Sequence, residues 1–119
     1  MKTLIILGIL LLPVGLLAQD YDQRLLLSYD ASTLNNLEIN DPHKLELLTY
    51  ALENGMYVTE NASEKGLQLT EIEVPENADS FTDLKLQITD QNQYFKVKGK
   101  DTILVVKSFW VLNNELERN

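Results

Sequence analysis

The residue types that could do chemistry in this chain are a single histidine, a large set of carboxylates and no cysteine. His43 falls in the first turn of a predicted helix, where the helix dipole disfavours a cation, so we expect it to hold a proton poorly. No serine that could join it in a Ser-His-Asp arrangement lies in a nucleophile-elbow sequence. We therefore predict that His43 is a surface residue rather than a catalytic or metal-binding one.

Closely spaced acids are the other candidates, because paired carboxylates can bind calcium or hydrolyse glycosidic bonds. The pairs are Asp20 and Asp22, Glu71 and Glu73, and Asp79 and Asp83. With 18 acidic residues in the chain, such pairs also arise by chance. The sequence has no twelve-residue calcium loop, glycine-rich phosphate loop or zinc ligand set. The prediction is no catalytic residue, no cofactor and no metal, with the carboxylates on a solvated surface.

Charge is unevenly distributed along the chain. Residues 19–91 contain 4 basic and 15 acidic residues, whereas residues 92–119 contain 5 basic and 3 acidic residues. An acidic chain is not typical of nucleic-acid binding, so we expect no nucleic-acid partner. The basic hairpin residues Lys96, Lys98 and Lys100 form a candidate docking face for an acidic partner. They would equally suit the solvated side of a strand, where lysine discourages edge pairing.

Trp110 is the only tryptophan and follows Phe109 directly. Such a pair could form a platform on which a ligand stacks, and it could equally anchor the core, because no other side chain is as large. Trp110 is therefore kept with the three lysines as a candidate interaction surface.

The amino-terminal segment predicts export. Lys2 precedes a nearly unbroken apolar run from Leu4 to Leu17, and Ala18 suits a cleavage site before Gln19. The run has 14 positions, whereas a membrane-spanning helix needs about 20. We predict a signal peptide at 1–18, a single domain at 19–119 and a periplasmic or secreted location. The alternative is a retained segment that anchors the chain in a membrane.

A β-hairpin near the carboxyl end is the predicted centre of the fold. Its first arm alternates, with Phe95 and Val97 on one face and polar residues on the other, and Gly99 suits a turn position with positive φ. If Gly99 and Lys100 form a two-residue turn, Phe95 lies opposite Leu104 on the second arm. The second arm is apolar throughout 103–106, which predicts a strand covered on both faces. We expect the central helix or the C-terminal tail to cover its outer face.

The strongest helix signal spans 41–54, where Asp41 is a capping residue, Pro42 fits the first helical position and Gly55 follows as a stop. Leucines at 45, 48 and 52 give this helix one apolar stripe. One or two helical turns are predicted at 30–37. Strands are predicted at 56–59, at 67–74 with a bulge, and at 84–88. After Trp110, a closing helix capped at Ser108 is preferred over a continued strand.

This order of elements predicts an α+β fold, with an N-terminal helix or helices packed on a four- to five-stranded antiparallel meander. The run from Asn92 to Gly99, the run from Leu104 to Ser108 and the helix start from Asp41 to Leu45 together resemble small exported bacterial proteins of unknown function. The resemblance implies a Gram-negative exported protein and implies no activity, cofactor or site residue.

Three functions follow as hypotheses from these observations. The first is an exported, non-enzymatic binding protein whose partner is an envelope or extracellular protein, or a small ligand. The second is a small carboxylate-based hydrolase, which requires two acids that converge in a cleft. The third is an accessory protein anchored in a membrane by a retained segment.

Overall fold

The computed structural model of the protein describes residues 21–62 and 68–118. The helical elements are a 3-10 helix at Gln23–Leu27, α1 at Ala31–Asn40, α2 at Pro42–Asn54, a further 3-10 helix at Phe81–Leu84 and α3 at Phe109–Arg118. The strands are β1 at Met56–Glu60, β2 at Thr70–Ile72, β3 at Gln93–Val97 and β4 at Thr102–Val106. The fold is α+β, as the sequence predicts.

Helix α2 begins and ends where its sequence signals lie. The Asp41 side chain accepts a hydrogen bond from the backbone N–H of Lys44 at 3.2 Å, and Pro42 occupies the first helical turn. The Gly55 N–H donates to the carbonyl oxygen of Ala51 at 2.8 Å and closes the helix. The apolar stripe is buried at every position, namely Leu45, Leu47, Leu48, Ala51 and Leu52. The helix therefore supplies one wall of the core.

The sheet is mixed, and its strand order is β1-β4-β3-β2. Strands β1 and β4 are antiparallel, as are β3 and β4, but β2 runs parallel to β3. The prediction of a purely antiparallel meander is therefore wrong in this detail. The chain leaves β1 at one edge of the sheet and forms β2 at the opposite edge, which a meander of sequential neighbours cannot do.

The carboxyl-terminal hairpin is confirmed, including its register. Phe95 pairs with Leu104, and Tyr94 pairs with Val105. Gly99 has a φ of 80°, a left-handed conformation that glycine adopts at little cost. The Lys100 N–H donates to the Val97 carbonyl oxygen at 3.1 Å and closes the turn.

Strand β4 is buried on both faces. Leu104 and Val106 belong to the main core together with the leucines of α2. Ile103 and Val105 point to the outer face, where Ala62 and Leu69 pack against them. The expectation that a helix or the C-terminal tail covers this outer face is therefore wrong. The cover comes from Ala62 and Leu69, which follow β1 and precede β2 in the sequence.

The prediction of a strand at 84–88 is wrong, because Phe81–Leu84 is a 3-10 helix and no strand follows it before β3. The Asp83 carboxylate accepts hydrogen bonds from the backbone N–H groups of Asp79 and Ser80, at 2.8 and 3.2 Å, and so initiates the 3-10 helix. Lys85 then adopts a φ of 58° and ends it. Phe81 is fully buried and meets the ring of Tyr29 edge-on, with centroids 6.5 Å apart. Alternating burial at 84, 86 and 88 thus reflects a core-lining loop.

Helix α3 confirms the preferred prediction for the chain end. Its first turn is capped by Ser108, whose side-chain oxygen accepts from the Val111 N–H at 3.2 Å. Leu112 is completely buried beneath α2. Within residues 21–62 and 68–118, no helix is long and apolar enough to cross a membrane. The predicted signal peptide at 1–18 lies outside the described residues.

Candidate functional site

Three large aromatic side chains lie exposed toward the end of the sheet where β1 begins and β4 ends. Tyr57 and Tyr94 both pair with Val105, one from each side, so both point to the outer face. Their side chains are 48% and 47% exposed, and Trp110, which follows β4 at the start of α3, is 71% exposed. We call Tyr57, Tyr94 and Trp110 the aromatic surface. Trp110 is thus not a core residue, and Phe81 is the largest fully buried side chain among the described residues.

Trp110 and Tyr94 line one shallow groove of about 460 Å³. Its remaining walls are polar or small, namely Asp90, Gln91, Asn92, Ser108 and Val111. A groove of this kind offers two flat apolar rings edged by amide and carboxylate groups. Such a combination suits contact with an amphipathic partner, because the rings exclude water while their polar neighbours satisfy hydrogen bonds.

The walls of this groove are held by hydrogen bonds between the loop that precedes β3 and the start of α3. The Asn92 side-chain oxygen accepts from the Ser108 N–H at 2.8 Å, and the Thr89 carbonyl oxygen accepts from the Phe109 N–H at 3.0 Å. Gln91 is fixed in turn, because its N–H donates to the Thr89 hydroxyl at 3.3 Å. These hydrogen bonds therefore fix the backbone position from which the Trp110 side chain extends.

Tyr57 is positioned by an ion pair that joins β4 to α3. The Lys107 ammonium lies 2.8 Å from a carboxylate oxygen of Glu115 and 5.9 Å from the centre of the Tyr57 ring. The Tyr50 hydroxyl donates to the same carboxylate at 3.1 Å. Lys107 and Glu115 are the least exposed ion pair that the described residues form. This contact fixes α3, and hence Trp110, relative to the sheet.

The basic hairpin residues occupy a different part of the outer face. Lys96 lies 3.8 Å from Glu71, and Lys98 lies 3.9 Å from Glu73. These acids belong to β2 and the residue after it, so acids from the first part of the chain meet the basic hairpin inside the molecule. Strand β3 is an interior strand of the sheet. The hairpin lysines therefore do not protect a sheet edge, which differs from the suggestion made from their pattern.

Lys100 lies at the turn, beside a second shallow groove of about 580 Å³ that also contains Val58 and Val74. The structure therefore does not bring the four sequence-predicted surface residues together. Lys96 and Lys98 face β2, Lys100 borders the turn, and Trp110 lies with Tyr94.

The carboxylate pairs contribute to structure. Glu71 and Glu73 face the hairpin lysines, and Asp83 caps the 3-10 helix that begins at Phe81. Hydrogen bonds from Arg24 hold the pKa of the Asp22 carboxyl below its ordinary value. Asp20 lies outside the described residues. Over residues 21–62 and 68–118, no three His, Cys, Asp or Glu side chains gather as a metal site would require.

His43 differs from its prediction in one respect. Its Nε2 lies 2.6 Å from the side-chain oxygen of Asn113, and its Nδ1 lies 3.3 Å from a Glu46 carboxylate oxygen. The bond to Asn113 raises the pKa of His43 above 6.5, and Glu46 and Asp41 act in the same direction. Both ring nitrogens lie near acceptors that favour the protonated form, which runs against the expectation that His43 holds a proton poorly. It remains a surface residue, as predicted.

Sequence reasoning missed Tyr57 and Tyr94 as members of a site. The signal was present for Tyr94, because the alternation of the first hairpin arm puts it on the face opposite Phe95 and Val97. An exposed aromatic residue marks a contact surface when further exposed apolar residues lie beside it. No comparable signal marks Tyr57, because its exposure depends on β1 lying at the edge of the sheet.

This arrangement offers a contact surface. Three exposed rings lie near the Lys107 cation, and amide groups edge the groove that Trp110 and Tyr94 line. No protein-family model, curated protein or solved structure matches this chain.

Proposed function

We propose that the protein is an exported, non-enzymatic binding protein that recognises an envelope or extracellular protein through the aromatic surface. The observation that carries the proposal is the exposure of Trp110 and Tyr94 along one groove, with Tyr57 exposed on the same face of the sheet as Tyr94. Tryptophan and tyrosine supply much of the free energy at protein interfaces, because they bury a large area while few rotatable bonds are fixed. Export rests on the sequence of residues 1–18, as does a periplasmic or secreted location.

Rigidity of the support favours recognition by a preformed surface. The backbone just before Trp110 is hydrogen-bonded to the 89–92 loop, and Lys107 links α3 to the outer face of the sheet. A partner therefore has little ordering cost to offset on this side of the interface. Scattered single hydrophobic residues elsewhere, such as Ile39 on α1, lack this support and are ordinary for a protein surface.

The hydrolase alternative has less support. It needs two carboxylates that converge in a cleft, whereas Glu71 and Glu73 face lysines and the Asp83 carboxylate accepts from backbone N–H groups.

The proposal is tested by capture from the exported fraction of the source cells. The full chain is expressed, its exported form is immobilised, and retained proteins are compared among the parent, Trp110→Ala and Ile39→Ala. The last variant is a control for the loss of an exposed apolar side chain elsewhere, because Ile39 is 78% exposed and lies on α1. We expect one partner to bind the parent and the control, and to bind Trp110→Ala at least about 30-fold more weakly, as for a central interface residue.

Retention of the same proteins by parent and Trp110→Ala alike would contradict the proposal. Circular dichroism of each variant establishes that loss of binding does not come from unfolding, and the exposed position of Trp110 predicts an unchanged spectrum. Purified partner is then titrated against Tyr94→Ala, for which we also expect weaker binding.

A further inference from the structure

Strand β1 forms an open edge of the sheet. It pairs with β4 on one side, and no other strand among residues 21–62 and 68–118 pairs with its opposite side. The Lys107 N–H donates to the Gly55 carbonyl oxygen at 2.8 Å, which fixes the alternation of the antiparallel ladder. Gly55, Tyr57 and Thr59 therefore bond toward β4. The peptide groups of Met56, Val58 and Glu60 consequently point away from the sheet.

This edge lacks the devices that usually prevent strand addition. It has no proline, no lysine and no bulge, and four of its five residues are uncharged. The opposite edge is different, because β2 has three residues and Pro75 follows shortly after it. Tyr57 and Val58 are 48% and 56% exposed, so both faces of the free strand present apolar surface.

We propose that the β1 edge binds the β1 edge of a second copy of this chain, in antiparallel orientation with Val58 near the two-fold axis. The outward peptide groups recur at every second residue, so the strand is complementary to itself in this register. Val58 then pairs with its own counterpart, and Met56 pairs with Glu60 of the other copy. The two four-stranded sheets become one continuous sheet of eight strands.

Symmetry favours a second copy as the occupant, and the charges at the edge itself do not oppose it. In this register each Glu60 carboxylate lies across from a methionine, so the two acids do not face one another. A two-fold pairing satisfies both free edges at once and leaves no new edge on either copy. Tyr57 of one copy lies opposite Thr59 of the other on the outer face, where a cross-strand contact can form.

The size of the interface and the net charge set the expected strength. Two five-residue strands form a contact that is small beside standard protein interfaces, so we expect a weak dimer. Residues 19–119 contain 9 basic and 18 acidic residues, so two copies repel one another at long range. Salt screens this repulsion, and the dimer should strengthen as ionic strength rises.

Dimerisation goes beyond the proposed binding function, and of the aromatic surface only Tyr57 lies on the β1 edge. Trp110 and Tyr94 lie off β1, and capture of a partner through them can fail while the dimer forms, or succeed while the chain is monomeric.

Sedimentation equilibrium of the exported form of the full chain tests the proposal. The range runs from about 10 µM to about 1 mM, which spans the affinities of small interfaces. We expect a monomer at the low end and a substantial dimer fraction at the high end, with more dimer at higher salt. Val58→Lys should weaken dimerisation at least about tenfold, because it places a charge at the axis on each copy. Ile39→Lys, the same change at an exposed site on α1, should leave dimerisation unaltered.

Val58→Pro is a second variant with a different physical effect. It removes only an outward N–H and leaves the ladder to β4 intact, so we expect a folded monomer. Amide exchange gives an independent readout, because protection at Met56, Val58 and Glu60 should increase with concentration while Tyr57 and Thr59 stay protected throughout. A parent that is monomeric at every concentration would overturn the proposal. So would dimerisation of Val58→Lys at the parent's strength.

Discussion

His43 shows how neighbouring acceptors decide the protonation of an exposed residue. Asn113 lies across the contact between α2 and α3, so protonation of His43 strengthens a link between two helices. Because the folded-state pKa is raised, this contribution to stability is fully present below the unfolded pKa of about 6.5 and is lost as pH rises through the folded pKa.

We predict that Asn113→Ala lowers the pKa of His43 toward its ordinary value, because Asn113 supplies the closest acceptor. The measurement is an NMR titration of the single histidine. Asn114→Ala is the matched control and should leave the titration unchanged. An equal pKa in the parent and Asn113→Ala would show that the contact does not persist in solution.

Gly55 is required by a close approach of backbone. A β-carbon at this position would lie 2.5 Å from the Ala51 carbonyl oxygen, so something must shift to admit it. We predict that Gly55→Ala lowers the free energy of unfolding by about 1–3 kcal/mol, as for other overpacked sites. Chemical denaturation measures it.

Gly99→Asn provides the contrast, because nothing lies within 4 Å of a β-carbon at Gly99 and asparagine tolerates positive φ. It should cost less than about 1 kcal/mol. A Gly55→Ala variant as stable as the parent would show that the end of α2 is looser than the structure has it.

At the scale of elements, the leucine stripe of α2 holds the helix in the core. Leu48 is 1% exposed and shares its cluster with Leu104 and Val106 of β4. We predict that Leu48→Ala lowers the free energy of unfolding by about 2–5 kcal/mol, because it removes buried contacts and leaves a cavity. Thr49→Ala, its exposed neighbour on the same helix, should cost much less. Similar unfolding curves for both variants would mean that α2 does not pack through this face.

The pair of Lys107 and Glu115 tests how α3 is held against the sheet. A double-mutant cycle with Lys107→Met and Glu115→Gln should give a coupling free energy of about 1 kcal/mol, which falls as salt is added. The same cycle on Lys98 and Glu73 should give a coupling near zero, because both side chains are largely exposed. Equal coupling in the two cycles would contradict the structural role assigned to Lys107.

Elements with a local signature were predictable from the sequence. Asp41, Pro42 and Gly55 marked both ends of α2, and the alternation of 93–98 with Gly99 fixed the hairpin register. The prediction of a strand at 84–88 is wrong because alternating apolar and polar residues show only that every second side chain is buried. A loop that lines the core has the same pattern. The capping contacts of Asp83 and the left-handed backbone of Lys85 distinguish the observed loop from a strand, and the alternating pattern indicates neither of them.

Features that depend on the whole fold were harder to predict from the sequence. The continuous apolar run of β4 correctly predicted burial on both faces, but the run does not say what covers it. Ala62 and Leu69 cover it, and their place there depends on β1 and β2 lying at opposite edges of the sheet and not on any local pattern. The exposure of Trp110 likewise depends on the direction in which α3 leaves β4. The candidate site was therefore predicted only at Trp110, and its neighbours came from the fold.

Fluorescence of Trp110 tests the central claim most directly, because it is the only tryptophan in the chain and lies at the centre of the proposed interaction. We predict that the free protein emits at long wavelength and is quenched readily by acrylamide, since the side chain is 71% exposed. Saturation with the partner captured by the parent should shift the emission to shorter wavelength and protect Trp110 from quenching. Short-wavelength, unquenched emission from the free protein, or emission unchanged by bound partner, would contradict the account.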